Sequence, residues 1–155
     1  MKSDENPITI LFADDDADDC FLFTKALHQI PINTILTTVH DGGELMSYLY
    51  NNSEHPPDVL FLDLSMPRKT GFECLSEMKE QEKTKDIPVV VFSTSYERDA
   101  VYEQGLVKML TNLGAFHFIR KSQDFEQFKN TIHNALLLLI EKNRSGNEAP
   151  ESIKG

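Results

Sequence analysis

The sequence predicts an α/β domain, (βα)₅, built on a parallel five-stranded sheet with helices on both faces. Three observations predict it. Five short apolar, strand-like runs recur along the chain. A helical or helix-forming segment follows each of them. No internal repeat and no second composition regime interrupts the alternation, and 155 residues suit one domain of ordinary size. Strict strand–helix alternation is the pattern of a parallel sheet covered on both sides.

The elements follow in order. Ile8–Ala13 (ITILFA) reads as a strand that ends at an acidic cluster. A helix is predicted over Ala17–Ile30, with Cys20, Phe21, Phe23, Leu27 and Ile30 placed to pack and Pro31 closing it. The β-branched run Thr34–Val39 is a second strand, Asp41-Gly42-Gly43 a turn, and Glu44–Asn51 a short helix. After the loop Asn52–Asp58, Val59–Leu62 is a third strand ending at Asp63. Gly71–Glu82 is a helix with Phe72, Leu75 and Met78 on one face. Val89–Phe92 is a fourth strand, Arg98–Leu113 a helix interrupted by Gly105, and Ala115–Ile119 a fifth strand. Asp124–Lys142 is the last helix, with Phe125, Phe128, Ile132, Leu136 and Leu139 at helical spacing. From Asn143 on, the chain is polar without periodicity and is expected to be a disordered tail, which puts the folded domain at 1–143 and the tail at 144–155.

Composition narrows the function. Lys and Arg number 15 against 25 Asp and Glu, a net charge of −10, which disfavours nucleic acid and anionic membrane surfaces as partners. The longest apolar run, Ala135–Ile140, is six residues, far too short to span a bilayer. The N-terminus has two acids in its first five residues and no apolar stretch, so no signal peptide is expected and the cytoplasm is the expected location. The two cysteines, Cys20 and Cys74, read as buried thiols in a reducing compartment. The five histidines (His28, His40, His55, His117, His133) show no zinc-ligand spacing.

Ligands on open α/β sheets sit beyond the carboxyl ends of the strands. The first strand is followed by Asp14-Asp15-Asp16-Ala17-Asp18-Asp19, the third by Asp63-Leu64-Ser65-Met66-Pro67, the fourth by Ser93-Thr94-Ser95 and the fifth by Lys121. Acids at a helix start are ordinary caps, and a lone Ser or Lys says little. Their coincidence on one edge says more. Crowded carboxylates suit a hard divalent cation, a lysine and a hydroxyl suit phosphoryl oxygens, and an aspartate can be the nucleophile that forms an aspartyl-phosphate.

These residues resemble the receiver domains of bacterial two-component response regulators. The match lies in Asp14-Asp15 after ITILFA, the DLSMP segment after VLFL, Ser93 after PVVVF and Lys121 after GAFHFIR, in the family's order, over roughly Ile8 to Asn143. The resemblance implies a flavodoxin-like, doubly wound sheet of strand order 2-1-3-4-5. It implies Asp63 as phosphoacceptor, and Mg²⁺ (with Mn²⁺ as an alternative ion) held by Asp15 and Asp63 directly, by Asp14 through water and by the backbone carbonyl of Ser65. It implies Lys121 as partner of the phosphoryl oxygens, Ser93 as the hydroxyl that follows the phosphoryl group, and Phe118 as an aromatic switch. Ser65 and Ser95 fall where the family tunes phosphate lifetime. Asp16, Asp18 and Asp19 are left as helix-start acids.

The implied function is a stand-alone switch, with a histidine kinase or histidine phosphotransfer protein upstream. Downstream lies a protein partner on the surface of the fourth helix, fifth strand and last helix. No DNA-binding pattern follows Asn143. Three positions depart from the family. Ser122 replaces the usual Pro after Lys121, and Thr94 stands where a small residue is common. Ser93 and Lys121 are 28 residues apart (121 − 93), which lengthens the Glu97–Gly114 region. Two alternatives compete. A Mg²⁺-dependent phosphatase of the haloacid dehalogenase type would use Asp14-Asp15-Asp16 as its D-x-D. A degenerate receiver would act without phosphorylation.

Overall fold

The computed structural model describes residues 6–94 and 100–154, with side-chain surroundings given for 6–93 and 104–145. Five parallel strands, β1 (Ile8–Ala13), β2 (Thr34–Val39), β3 (Val59–Asp63), β4 (Val89–Thr94) and β5 (His117–Lys121), form one sheet of order β2-β1-β3-β4-β5. The helices are α1 (Ala17–Gln29), α2 (Gly42–Asn51), α3 (Gly71–Glu80), α4 (Ala100–Asn112) and α5 (Phe125–Lys154). The flavodoxin-like, doubly wound order implied by the resemblance is the observed one.

Strand alternation divides the core in two. Ile10, Phe12, Val59, Phe61, Val90, Phe92 and Ile119 face α1 and α5, where they meet Phe23, Ala26, Phe128, Ile132 and Leu136. Leu11, Ala13, Leu60, Leu62, Val89 and Val91 face the other way, onto Leu45, Leu49, Leu75 and Met78 of α2 and α3 and Leu110 of α4. The first face is aromatic: Phe12 stacks on Phe23 at 4.2 Å, and Phe61 and Phe92 meet the same cluster edge-on. Such contacts add to the burial of the rings themselves.

Several element ends fall one or two residues from expectation, and three differences have clear local reasons. β5 begins at His117 rather than Ala115. Helix α4 closes with a Schellman motif: the Gly114 N–H donates to Thr111 O at 2.9 Å and the Ala115 N–H to Leu110 O at 3.0 Å, with Gly114 at φ 102°. Ala115 is therefore committed to the helix end, and the strand runs two residues later than predicted, through Lys121. Asp41-Gly42-Gly43 is not a separate turn. Asp41 caps α2 by accepting from the Glu44 N–H, and both glycines lie in its first turn. Finally, α5 continues past Asn143 to Lys154, where a disordered tail was expected. Glu141–Ser145 are exposed, so local backbone hydrogen bonding, not burial, carries the helix beyond the core there. The start of α4 was expected at Arg98, which lies outside the described residues.

Candidate functional site

The strand order reverses at β1, between β2 and β3, and the crevice opens at the carboxyl ends of β1 and β3. Register sets the level: Ala13 pairs with Leu62, and Asp63 with Phe92. Asp14 and Asp63 thus emerge side by side, and alternation turns both toward the α1/α5 face. Gly71, the first residue of α3, fixes the height of Asp63. A Cβ there would lie 2.5 Å from the Asp63 carbonyl oxygen and 2.8 Å from Leu64 Cα, so only glycine fits without moving the end of β3.

Asp14, Asp15 and Asp63 place one carboxylate oxygen each within 4.8 Å of one another. Asp14 is fully buried, Asp63 nearly so, and Asp15 is exposed at the mouth. An all-oxygen set with one open side is the donor chemistry of a hard divalent cation that keeps some of its waters. The residues present therefore fit Mg²⁺ or Mn²⁺.

Lys121 arrives from the end of β5, with its side chain 14% exposed. Its Nζ donates to Asp19 Oδ2 at 2.7 Å, to Asp14 Oδ2 at 3.0 Å and to Asp63 Oδ1 at 3.2 Å. Burial pushes the Asp14 carboxyl up to about 7, against the lowering pull of the Asp16 N–H and of Lys121, and the Asp63 charge adds to the rise. Burial likewise raises Asp63, while Lys121 and the Ser65 N–H pull it back. Burial alone would lower the Lys121 ammonium, but the bond to Asp19 and the charges of Asp14 and Asp63 together hold it above its usual range. One cation thus serves three carboxylates, and the cluster has unmet demand for positive charge.

The remaining residues fall into two groups. Ser65 is exposed, and its backbone N–H is on Asp63. Ser93 is half-buried, in register with Arg120, and alternation puts it on the α4 side of the sheet with Val91. Phe118 packs on that side too, and lines a cavity of about 290 Å³ with Val107, Leu110, Thr111 and Ala115 between α4 and β5. Ser95 and the side chain of Thr94 lie outside the described residues. No peptide bond among the described residues is cis, Lys121–Ser122 included.

Of the helix-start acids, Asp16 is the N-cap of α1 and accepts from the Asp18 and Asp19 N–H groups. It therefore stands outside the carboxylate cluster, which joins Asp14 to Asp15 and not to Asp16 as a D-x-D phosphatase motif would require. Asp19 is the residue that sequence reasoning missed. Its position as N3 of α1 looked like ordinary capping, and only its approach to Lys121, 102 residues away, reveals more. Cys20 and Cys74 are both free thiols; Cys74 is buried as expected whereas Cys20 is only half-buried, and burial raises each to about 11.

Comparison with known proteins agrees with this geometry. Residues 10–133 match the response regulator receiver domain family. The response regulator Rcp1 of Synechocystis sp. is 36% identical over 106 residues, 65% of this chain and 72% of that protein. The phosphorylated cyanobacterial phytochrome response regulator RcpA superposes with a TM-score of 0.75 at 27% identity, over 88% of this chain and 96% of that one. The Mn²⁺-bound form of Rcp1 gives 0.69 at 26% identity, over 83% and 91%. The chain belongs to the response regulator receiver domain family, a family of signalling domains.

Proposed function

We propose that Asp63 is the phosphoacceptor of this receiver domain, with Lys121 and Ser93 as the groups that meet the transferred phosphoryl. The observation that carries this reading is the Lys121 ammonium bonded to Asp63 Oδ1, in a pocket where Asp14 and Asp15 supply the other carboxylates. An Asp63 carboxylate oxygen attacks phosphorus, the bond to the donor's leaving group breaks, and an aspartyl-phosphate forms. Asp14, Asp15, Asp63 and the Ser65 carbonyl would hold Mg²⁺, which when bound offsets negative charge on the transferring group. Lys121 holds its proton throughout and donates to a phosphoryl oxygen. Beyond its own phosphorylation and dephosphorylation, the domain has no substrate to turn over.

The donor is a histidine kinase or histidine phosphotransfer protein in the cytoplasm. The likeness to RcpA supports a phytochrome-type kinase as the first to try. The output is a change of protein contacts on the α4, β5 and α5 surface. The cavity beside Phe118 supports that route, because a ring that already borders open space can shift when Ser93 is drawn toward the phosphoryl.

Asp63→Asn tests the assignment. The amide cannot form the acyl-phosphate, so intact mass after acetyl phosphate and Mg²⁺ should show no added phosphoryl group, with an unchanged circular dichroism spectrum. A mutant that gains one phosphoryl group at the wild-type rate refutes Asp63 as acceptor.

A further inference from the structure

We infer that Asp19 is a positioning residue for Lys121, holding the ammonium beside the acceptor through a bond that lies outside the metal-binding carboxylates. This rests on the reading of Asp63 as acceptor. An ammonium has three N–H donors, and all three are used here. Two go to Asp14 Oδ2 and Asp63 Oδ1, oxygens of the same carboxylates that converge for a cation. A divalent cation bound there competes for those oxygens and repels the ammonium. The third bond, to Asp19 Oδ2, is the shortest at 2.7 Å, and Asp19 is not in the converging group. It is the bond that persists when the other two are contested.

Asp19 is itself held in place by a closed ring of hydrogen bonds. The Asp16 N–H donates to Asp14 Oδ1 at 2.9 Å, the Asp19 N–H donates to Asp16 Oδ1 at 3.4 Å, and Lys121 joins Asp19 back to Asp14. The start of α1 is thereby locked to β1 at one end and to β5 at the other. Asp18 makes an instructive contrast. It is an acid of the same helical turn, and its N–H also reaches Asp16, at 2.8 Å, yet its carboxylate is absent from the Lys121 set.

The experiment compares Asp19→Asn, Asp19→Glu and Asp18→Asn in the full chain. Three quantities are read: phosphorylation by acetyl phosphate at saturating Mg²⁺, Mg²⁺ affinity by calorimetry, and the Lys121 ammonium resonance in metal-free protein. Asp19→Asn should slow phosphorylation roughly tenfold, because the ammonium is no longer fixed where the charge develops. It should also weaken Mg²⁺ binding, since Lys121 collapses onto Asp14 and Asp63, and shift or broaden the ammonium resonance. Asp19→Glu should recover part of each, and Asp18→Asn should match wild type in all three. Wild-type values for Asp19→Asn, or equal losses in Asp18→Asn, overturn the inference. If wild-type protein accepts no phosphoryl group, the acceptor reading fails, while the ammonium resonance and the Mg²⁺ affinity still decide the role of Asp19.

Discussion

The two faces of the sheet are built differently. Toward α1 and α5 lie five closely packed phenylalanines, Phe12, Phe23, Phe61, Phe92 and Phe128. The same alternation carries that face outward to Asp14, Asp63 and Lys121, whose Nζ sits 5.7 Å from the centre of the Phe92 ring. Toward α4, by contrast, Leu110 is the one buried residue among the described side chains of the helix. Ser93 and Phe118 belong to this second side. The charges that need fixed distances stand on the stiff face, and the residues proposed to move stand on the loose one. Because strand side chains alternate, neighbouring positions of one strand face opposite sides of the sheet: Phe92 lies beneath the charged cluster, and Ser93, the hydroxyl proposed to follow the phosphoryl group, lies on the α4 side.

Truncating one ring on each side should give the largest difference between the two faces. Phe23 is fully buried and stacked, so Phe23→Ala should cost about 3–5 kcal/mol. Phe118 is half-buried beside a cavity, so Phe118→Ala should cost under about 2 kcal/mol. Urea denaturation of the two variants measures the difference, and equal losses would mean that the faces are equally packed.

The charged edge of the stiff face should show itself through pH. Asp14 is an acid whose native pKa is raised from 3.8 to about 7, so in that window the native state holds a proton that the unfolded chain releases. Stability of the metal-free protein therefore falls as pH rises through the window, and Asp63, shifted the same way, adds to the fall. A divalent cation needs the ionised carboxylates and should reverse the loss. At 10 to 100 times its dissociation constant Mg²⁺ should add about 1–3 kcal/mol, with a larger rise in melting temperature above neutral pH than below it. A rise that is the same on both sides of neutrality would remove Asp14 from the titration.

The smallest effect belongs to α4. Gly105 lies inside this helix, and a Cβ there would meet nothing within 4 Å. Gly105→Ala should stabilise the domain by about 0.5–1 kcal/mol through helix propensity alone. If the looseness of α4 serves the output, the same variant should also blunt the change in hydrogen exchange of α4 on adding beryllofluoride. A destabilised variant would show that the glycine answers a packing demand.

How much of this was legible beforehand follows from the range of each signal. β1 and β2 were predicted at their observed bounds, because apolar runs are local. The gathering of Asp14, Asp15, Asp63 and Lys121 at one edge was also legible, since parallel strands all end on the same side and each of these residues follows or ends a strand. What the tertiary structure alone decided is finer. The Schellman closure of α4 moved β5 by two residues and so made Lys121 the last residue of the strand, in register with Thr94. Burial, which depends on every neighbour, raised the Asp14 carboxyl. Asp19, indistinguishable in sequence from Asp18, became the shortest partner of Lys121 because the packing of α1 on the sheet brings only one of the two acids to β5. Spacing along a chain specifies which elements form and which ends they share; the distance between side chains on different elements is set only when those elements pack.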